Sequence, residues 1–197
     1  MKRVMALVSR EYWENRNSFL TMPLILAGIV VFCVFDLVLL GLFGHHVTFF
    51  FHLKNTNLDI ARFVSDTFYL VSFPFALMLW LVLFNYFLRT LYTERQDGSL
   101  LFWQSMPVSQ WETICSKWVA GLVLAPMVSA VVTIATGLIV LVMVSVLVWS
   151  IAGISPWLLW GGAHLLKCWF ALLLAFLMQG VWLFPLLAWS LFCSVSA

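Results

Sequence analysis

Four long apolar runs dominate the sequence, and each is long enough to cross a lipid bilayer as a helix. They cover about Met22–Phe43, Val64–Leu88, Trp118–Trp149 and Leu165–Leu187. A crossing takes about 20 apolar residues, and only helices and closed barrels satisfy the backbone in lipid. The pattern therefore predicts an all-α, polytopic membrane bundle with four spans. The third run is too long for one straight crossing, so we expect it to tilt, to bend near Pro126 or to extend beyond the lipid.

Composition strengthens the membrane prediction and argues against a soluble domain, a nucleic-acid-binding protein and a disulfide-rich or zinc-binding protein. The chain has 197 residues, of which 64% are hydrophobic and 9% are charged, whereas about 25% are charged in ordinary soluble domains. A net charge of +2 gives no indication of a nucleic-acid partner. The four cysteines are scattered without a C-x-x-C pair, so neither a disulfide framework nor a zinc site is indicated. We expect a single transmembrane domain over residues 1–197.

The residues before the first run, 2–20, have the pattern of an amphipathic helix. Apolar side chains recur at helical spacing on one face and charges on the other: Val4, Leu7, Val8 and Tyr12 against Arg3, Arg10 and Glu14. Such a helix lies in the membrane interface, although a plain basic anchor for the first span is the alternative. The first run is longer than the apolar region of a signal peptide, and no small-x-small cleavage site follows it.

Lysine and arginine positions predict the orientation. Seven lie before the first span or between the second and third, and three lie between the first and second spans or at the start of the fourth: Lys2, Arg3, Arg10, Arg16, Arg89, Arg95 and Lys117 against Lys54, Arg62 and Lys167. Basic residues favour the cytoplasmic side of the membrane. We therefore expect a multi-pass protein of the cell (inner, cytoplasmic) membrane, with a cytoplasmic N-terminus and a cytoplasmic segment 92–117.

That segment, "YTERQDGSLLFWQSMPVSQWETICSK", is the most polar part of the chain's centre, yet it contains a short apolar helix pattern. Residues 99–106 are rich in large apolar groups, and Pro107 ends the pattern. Ser109 and Glu112 then form a capping-box pattern that predicts a new helix from about Gln110. Two interpretations remain open: the short helix lies among lipid headgroups, or it inserts into a pocket of a cytoplasmic partner.

The same segment resembles a known family signature. Glu94-x-x-x-Gly98-Ser99-Leu100, followed by Met106-Pro107-Val108-Ser109 and by Lys117 at the start of a span, is similar to the region between spans two and three of ABC-2 type transporter permeases. The N-terminal "REYWENR" resembles the interfacial elbow helix of that family. "FPLLAWSLFCSVSA" resembles its fourth span, which reaches the cytoplasm with a Ser/Ala-rich turn.

The resemblance implies an exporter subunit without catalytic residues of its own. The segment would be the coupling helix that docks into a cytoplasmic ATP-binding subunit, and that subunit would bind ATP and Mg. The residues carried over for this coupling are Glu94, Arg95, Gly98, Ser99, Leu100, Phe102, Trp103, Met106 and Pro107. A homodimer or a second homologous permease is implied as a further partner, besides membrane lipid. Family members usually have six spans, so we expect a chain that is C-terminally incomplete, or a short form completed by another subunit.

Motifs for covalent chemistry are missing from the sequence. It contains no G-x-x-x-x-G-K-[ST], no G-x-S-x-G and no H-E-x-x-H. Histidines cluster in the predicted external loops, at His45, His46, His52 and His164. A membrane protein that holds a haem or metal with these histidines is therefore an alternative function, and a membrane anchor that recruits a protein without transport is another.

Three polar side chains lie inside the predicted spans, where polar groups are costly and often functional. Asp36 is past the midpoint of the first span, Asn85 is near the inner end of the second, and Gln179 is near the middle of the fourth. Asp36 either bonds to a neighbouring helix or belongs to a substrate path or gate. Asn85 and Gln179 are also path candidates, although hydrogen bonds between helices explain them more simply.

Overall fold

The fold was described from a computed structural model, which covers residues 2–43, 60–96, 110–152, 155–157, 160 and 165–196. The described residues are almost entirely helical and contain no strand. The prediction of an all-α bundle is therefore confirmed. The predicted coupling helix at 99–106 lies outside the described residues.

Six α-helices and two π-helical turns make up the described chain. The α-helices are α1 (Lys2–Glu14), α2 (Met22–Phe43), α3 (Ile60–Gln96), α4 (Gln110–Val119), α5 (Ala125–Ala152) and α6 (Leu165–Ser196). The π turns are Asn17–Thr21, between α1 and α2, and Ala120–Leu124, between α4 and α5. Helix α4 is described from Gln110 onward, and Ser109 of the predicted capping box lies outside the described residues.

Among the described residues, four helical stretches are long and apolar enough to cross a membrane, in agreement with the four predicted spans. They are Asn17–Leu40, Val64–Thr90, Trp111–Ser150 and Leu165–Ser194. The helices extend further than the apolar runs, since α3 reaches Gln96 and α6 reaches Ser196. The Ser/Ala-rich turn expected near the end of α6 is helical up to Ser196, because no glycine or proline follows Pro185 to interrupt it.

Each π turn ends two residues before a proline. Asn17–Thr21 precedes Pro23, and Ala120–Leu124 precedes Pro126. Proline has no N–H and its ring clashes with the carbonyl four residues earlier, so a local widening of the helix relieves both problems. The third span therefore contains a π turn just before Pro126, and the helix continues through it.

The chain divides into two compact units, each built from parts of several helices. One unit comprises 1–23, 76–130 and 173–197, and the other comprises 24–75 and 131–172. In the second unit Val64, Phe68, Leu141 and Leu172 form a buried cluster. Outside these cores many large apolar side chains are exposed, including Leu70 at 78%. An exterior of this kind is suited to lipid, which is as apolar as the side chains themselves.

Candidate functional site

A buried ion pair is the main polar feature of the first unit. The Nζ atom of Lys117, at the end of α4, lies 2.9 Å from Oε1 of Glu11 in α1. The two side chains are only 2% and 4% exposed. The pair joins the N-terminal helix to the helix that leads into the third span.

Two hydroxyl groups of α3 complete this polar cluster. The Tyr86 hydroxyl donates to Oε2 of Glu11 at 2.9 Å, and Lys117 Nζ donates to Oγ1 of Thr90 at 3.0 Å. Both oxygens of the Glu11 carboxylate therefore accept a hydrogen bond. We call Glu11, Tyr86, Thr90 and Lys117 the Glu11–Lys117 cluster.

The Glu11–Lys117 cluster ties three helices together at one place. Removing two charges from water costs several kcal/mol per ion, and their attraction offsets this cost only when the geometry is good and the remaining bonding capacity is satisfied. Here the carboxylate has partners on α3 and α4, so α1 is held to both. Loss of one partner would leave a buried, unpaired charge, so separating any of these three helices from the others is costly.

A chain of aromatic rings passes through Tyr86 of the cluster and reaches α6. Successive ring centroids lie 5.1 Å apart from Phe19 to Tyr86, 5.2 Å from Tyr86 to Phe87, 4.7 Å from Phe87 to Trp118 and 4.6 Å from Trp118 to Phe184. These separations are in the range of favourable aromatic pairs. The chain of rings crosses the first unit from the π turn before α2 to the last helix.

Gly121 permits the close approach that this packing needs. A Cβ atom built at Gly121 would lie 2.6 Å from the Phe87 ring. Only glycine leaves room for the ring at this point of the π turn, and Phe87 itself is fully buried. The small residue thus sets the distance between α3 and the start of the third span.

Most of the predicted coupling residues cannot be placed. Gly98, Ser99, Leu100, Phe102, Trp103, Met106 and Pro107 lie outside the described residues. Glu94 and Arg95 belong to the last turn of α3, where the backbone is helical. Lys117, which the resemblance placed at the start of a span, is the cation of the buried pair.

The three intramembrane candidates have different surroundings. Gln179 donates to the carbonyl oxygen of Ala76 at 2.7 Å, so its predicted role as a hydrogen bond between helices is confirmed. Asn85 bonds instead to Leu81 of its own helix at 2.9 Å, and it lines a groove on the first unit. Asp36 is exposed on α2, and no described residue bonds to its carboxylate. Asn85 and Gln179 belong to the first unit, and Asp36 belongs to the second.

Glu11 is the functional candidate that sequence reasoning missed. The amphipathic pattern of α1 places the charges of Arg3, Arg10 and Glu14 on the polar face. Glu11 falls on the other face, because it follows Val4, Leu7 and Val8 at helical spacing. A carboxylate in the middle of an apolar stripe was the available signal for a buried cation elsewhere in the chain.

Among the described residues, no group of three or more histidine, cysteine or acidic side chains is placed to hold a metal ion. His45, His46, His52 and His164, on which the haem or metal alternative depends, lie outside them. The chain matches no family model, no curated protein and no solved structure.

Proposed function

We propose that this chain is the membrane-spanning permease subunit of an ATP-driven exporter of the ABC-2 type. In this proposal a separate cytoplasmic subunit binds ATP and Mg, and the segment 92–117 transmits its motion to the spans. The N-terminus and this segment face the cytoplasm of the cell membrane. A second permease chain, identical or homologous, forms the other wall of the substrate path, since one four-helix bundle encloses too little space.

The single observation that carries the proposal is the position of the Glu11–Lys117 cluster. Thr90 lies six residues before the end of α3 at Gln96, and Lys117 lies seven residues after the start of α4 at Gln110. The cluster therefore links the two helices that flank residues 97–109. Because α1 is attached through Glu11, a displacement of this segment would reach α1 and both spans together.

This arrangement suits a mechanical role better than a chemical one. Closure of the ATP-binding subunits would move the short helix at 99–106, and the linked helices would follow as one body. Alternating access in transporters is commonly a rigid-body movement of one bundle against another. Because the Glu11–Lys117 cluster joins α1, α3 and α4, it would transmit such a movement from the segment 92–117 to all three helices.

Co-purification with an ATP-binding subunit tests the partner. The chain would be co-expressed with the ATP-binding subunit encoded nearest to it, and compared with a variant in which Phe102, Trp103 and Met106 are all changed to aspartate. We expect the subunit to co-purify with the parent chain and to be lost from the variant. If nothing co-purifies, or the triple change has no effect, the segment is not a coupling helix and the proposal is wrong.

A second experiment tests the coupling itself. The Lys117→Met variant should still bind the ATP-binding subunit, because the docking helix is unchanged, but ATP-driven efflux should fall strongly. The Arg10→Gln variant, which breaks an exposed pair on the same helix α1, should keep both properties. An undiminished ATP-driven efflux in Lys117→Met would contradict the role given to the cluster. A partner that binds without any ATPase activity would instead favour a membrane anchor.

A further inference from the structure

A groove on the first unit lies beside the Glu11–Lys117 cluster and has no role in the coupling proposal. Its volume is 460 Å³, within the usual range of small-molecule sites. The lining comes from the junction of α1 and α2 and from the second half of α3: Asn15, Ser18, Met22, Met78, Leu81, Val82, Asn85, Tyr86 and Arg89. Met22, Leu81 and Asn85 are exposed, so the groove opens to the outside of the unit.

The lining changes from apolar to polar along both walls. On α3 the order is Met78, Leu81 and Val82, and then Asn85 and Arg89. On the other wall Asn15 and Ser18 come before Met22. The rings of Phe19 and Tyr86 are in contact, with centroids 5.1 Å apart. Since consecutive spans run in opposite directions, the residues before Phe19 lie on the same side as those after Tyr86.

The groove therefore has a polar end and an apolar end. The polar end contains the Asn15 and Asn85 amides, the Ser18 hydroxyl and the Arg89 guanidinium. The apolar end contains Met22, Met78, Leu81 and Val82, whose methionines adapt to flexible chains. This order follows the depth of the membrane, because the polar residues lie at the ends of the first and second spans.

The charge of the lining favours an anionic ligand. Arg89 is the cation of the lining, and the lining contains no carboxylate. Arg89 is exposed, and no described acidic side chain pairs with it. Guanidinium groups bind phosphate with paired, charge-assisted hydrogen bonds, and basic pockets at the ends of transmembrane helices bind anionic lipid headgroups.

We propose that this groove is a binding site for an anionic phospholipid of the surrounding bilayer. Arg89 binds the phosphate, Asn15, Ser18 and Asn85 donate to the headgroup, and an acyl chain lies against Met22, Met78 and Leu81. The bound lipid bridges the start of the first span and the end of the second. The inference is independent of the exporter proposal, since it requires neither ATP nor a partner protein.

Lipid-dependent stability tests the site on the full chain in a non-ionic detergent. Thermal unfolding would be followed during titration with phosphatidylglycerol, with phosphatidylcholine of the same acyl chains, and with inorganic phosphate. Phosphatidylglycerol should raise the unfolding midpoint, and the other two should have little effect. In Arg89→Gln the apparent affinity for phosphatidylglycerol should be about tenfold lower, as expected for the loss of a charged hydrogen bond.

Arg16→Gln is the matched control. Arg16 is exposed in the same unit and stacks on Trp13 at 5.5 Å, but it does not line the groove. This variant loses the same charge and should keep the parent's affinity. Equal losses in both variants would mean a general surface-charge effect and would overturn the proposal. So would an unchanged affinity in Arg89→Gln.

A change at the apolar end separates a lipid from an anion. Met78→Trp places a larger side chain in the groove and should reduce stabilisation by phosphatidylglycerol while Arg89 is intact. If this variant retains the full lipid effect, the acyl chain does not lie there and the proposal is wrong. Stabilisation of the parent by inorganic phosphate as large as that by phosphatidylglycerol would also overturn it, in favour of a simple anion site.

Discussion

Glu11 and Lys117 are charged residues placed where a single unpaired charge would not be tolerated. Their side chains are almost completely buried and lie 2.9 Å apart. Hydroxyl groups of Tyr86 and Thr90 satisfy part of their remaining bonding capacity. Such a pair need not raise stability over an apolar equivalent, but it specifies which helix faces meet.

Removing only the cation of this pair should destabilise the protein strongly. In Lys117→Met the Glu11 carboxylate remains buried without its cation, and such changes cost about 3–5 kcal/mol. We expect the free energy of unfolding in detergent, measured by denaturant titration, to fall by this amount. The double variant Glu11→Gln with Lys117→Met should lose less than the sum of the two single changes.

The exposed pair of α1 provides the comparison. Arg10 and Glu14 lie 2.6 Å apart, with side chains 26% and 46% exposed. Exposed pairs at this helical spacing contribute about 0.3–0.5 kcal/mol. Arg10→Gln should therefore change the free energy of unfolding by less than 1 kcal/mol. A loss as large as that of Lys117→Met would show that burial is not what makes the Glu11–Lys117 pair important.

At the scale of elements, glycines set how closely helices pack within each unit. In the second unit, a Cβ atom at Gly137 of α5 would lie 2.5 Å from the ring of Phe68 in α3. Phe68 is buried in the cluster with Val64, Leu141 and Leu172, so it has little freedom to shift. A Cβ atom built at Gly28 of α2, by contrast, would have no described neighbouring atom within 4 Å.

The two glycines should therefore respond oppositely to alanine. Gly137→Ala overfills the contact with Phe68, and overpacking of this kind costs about 1–3 kcal/mol. Gly28→Ala should leave the free energy of unfolding unchanged or raise it by up to about 1 kcal/mol, because alanine favours helix more than glycine does. Thermal unfolding of both variants in the same detergent measures this difference. Equal behaviour would contradict the packing of α3 on α5.

The π turn at Ala120–Leu124 fixes the rotation of α4 about its axis. A π turn contains one more residue than an α turn, so deleting one residue should turn Lys117 by about 100° relative to the following helix. Val123 is exposed, at 48%, and its deletion removes little packing. We expect this deletion to cost about as much stability as Lys117→Met, because it separates the same charges.

Two further variants check that explanation. Adding Lys117→Met to the Val123 deletion should cause little additional loss, since both remove one interaction. Pro126→Ala keeps the number of residues and should have a smaller effect than the deletion. A large additional loss in the combined variant would mean that the π turn acts on stability by another route.

At the scale of the whole molecule, we expect four crossings to leave the N-terminal helix α1 and the segment 92–117 on the same side of the membrane. Cysteine labelling tests this arrangement in a variant that lacks the four native cysteines. Single cysteines would replace Trp13 and Trp111 on one side, and Arg62 and Trp157 on the other. With an impermeant maleimide on intact cells, positions 62 and 157 should be labelled and positions 13 and 111 protected.

A reversed result would keep the four spans and overturn only the orientation. Labelling of positions 13 and 111 without 62 and 157 would place the N-terminus outside, against the distribution of lysine and arginine. Labelling of one position from each pair would instead contradict the number of crossings. The native Cys33 and Cys115 are exposed, so their replacement by serine should be tolerated.

The bundle could be predicted from the sequence because lipid imposes a simple rule. In lipid, an apolar run of sufficient length has to form a helix, and α2 matches its predicted bounds of Met22–Phe43. A helix start near Gln110 is predicted for a local reason, the capping-box pattern of Ser109 and Glu112. The continuation of α3 past Thr90 to Gln96 was not predictable, because polar residues such as those near Gln96 permit both helix and loop.

The candidate site was only partly predictable, because its contacts are distant in sequence. The sequence places Lys117 at the start of a span, but its partner Glu11 lies 106 residues away in the chain. Periodicity placed Glu11 on the apolar face of α1 without indicating which helix would cover it. The groove beside the cluster also depends on how two helices meet, which no local pattern encodes.

The separation of Glu11 and Lys117 along the chain has a consequence for biosynthesis. Glu11 leaves the ribosome early, and its cation follows 106 residues later. At about 5–20 residues per second, this interval is roughly 5–20 s. During that time the first two spans enter the membrane while α1 has no counter-charge to bind. Nascent chains that stop before Lys117 should therefore leave α1 accessible to protease, and longer ones should protect it.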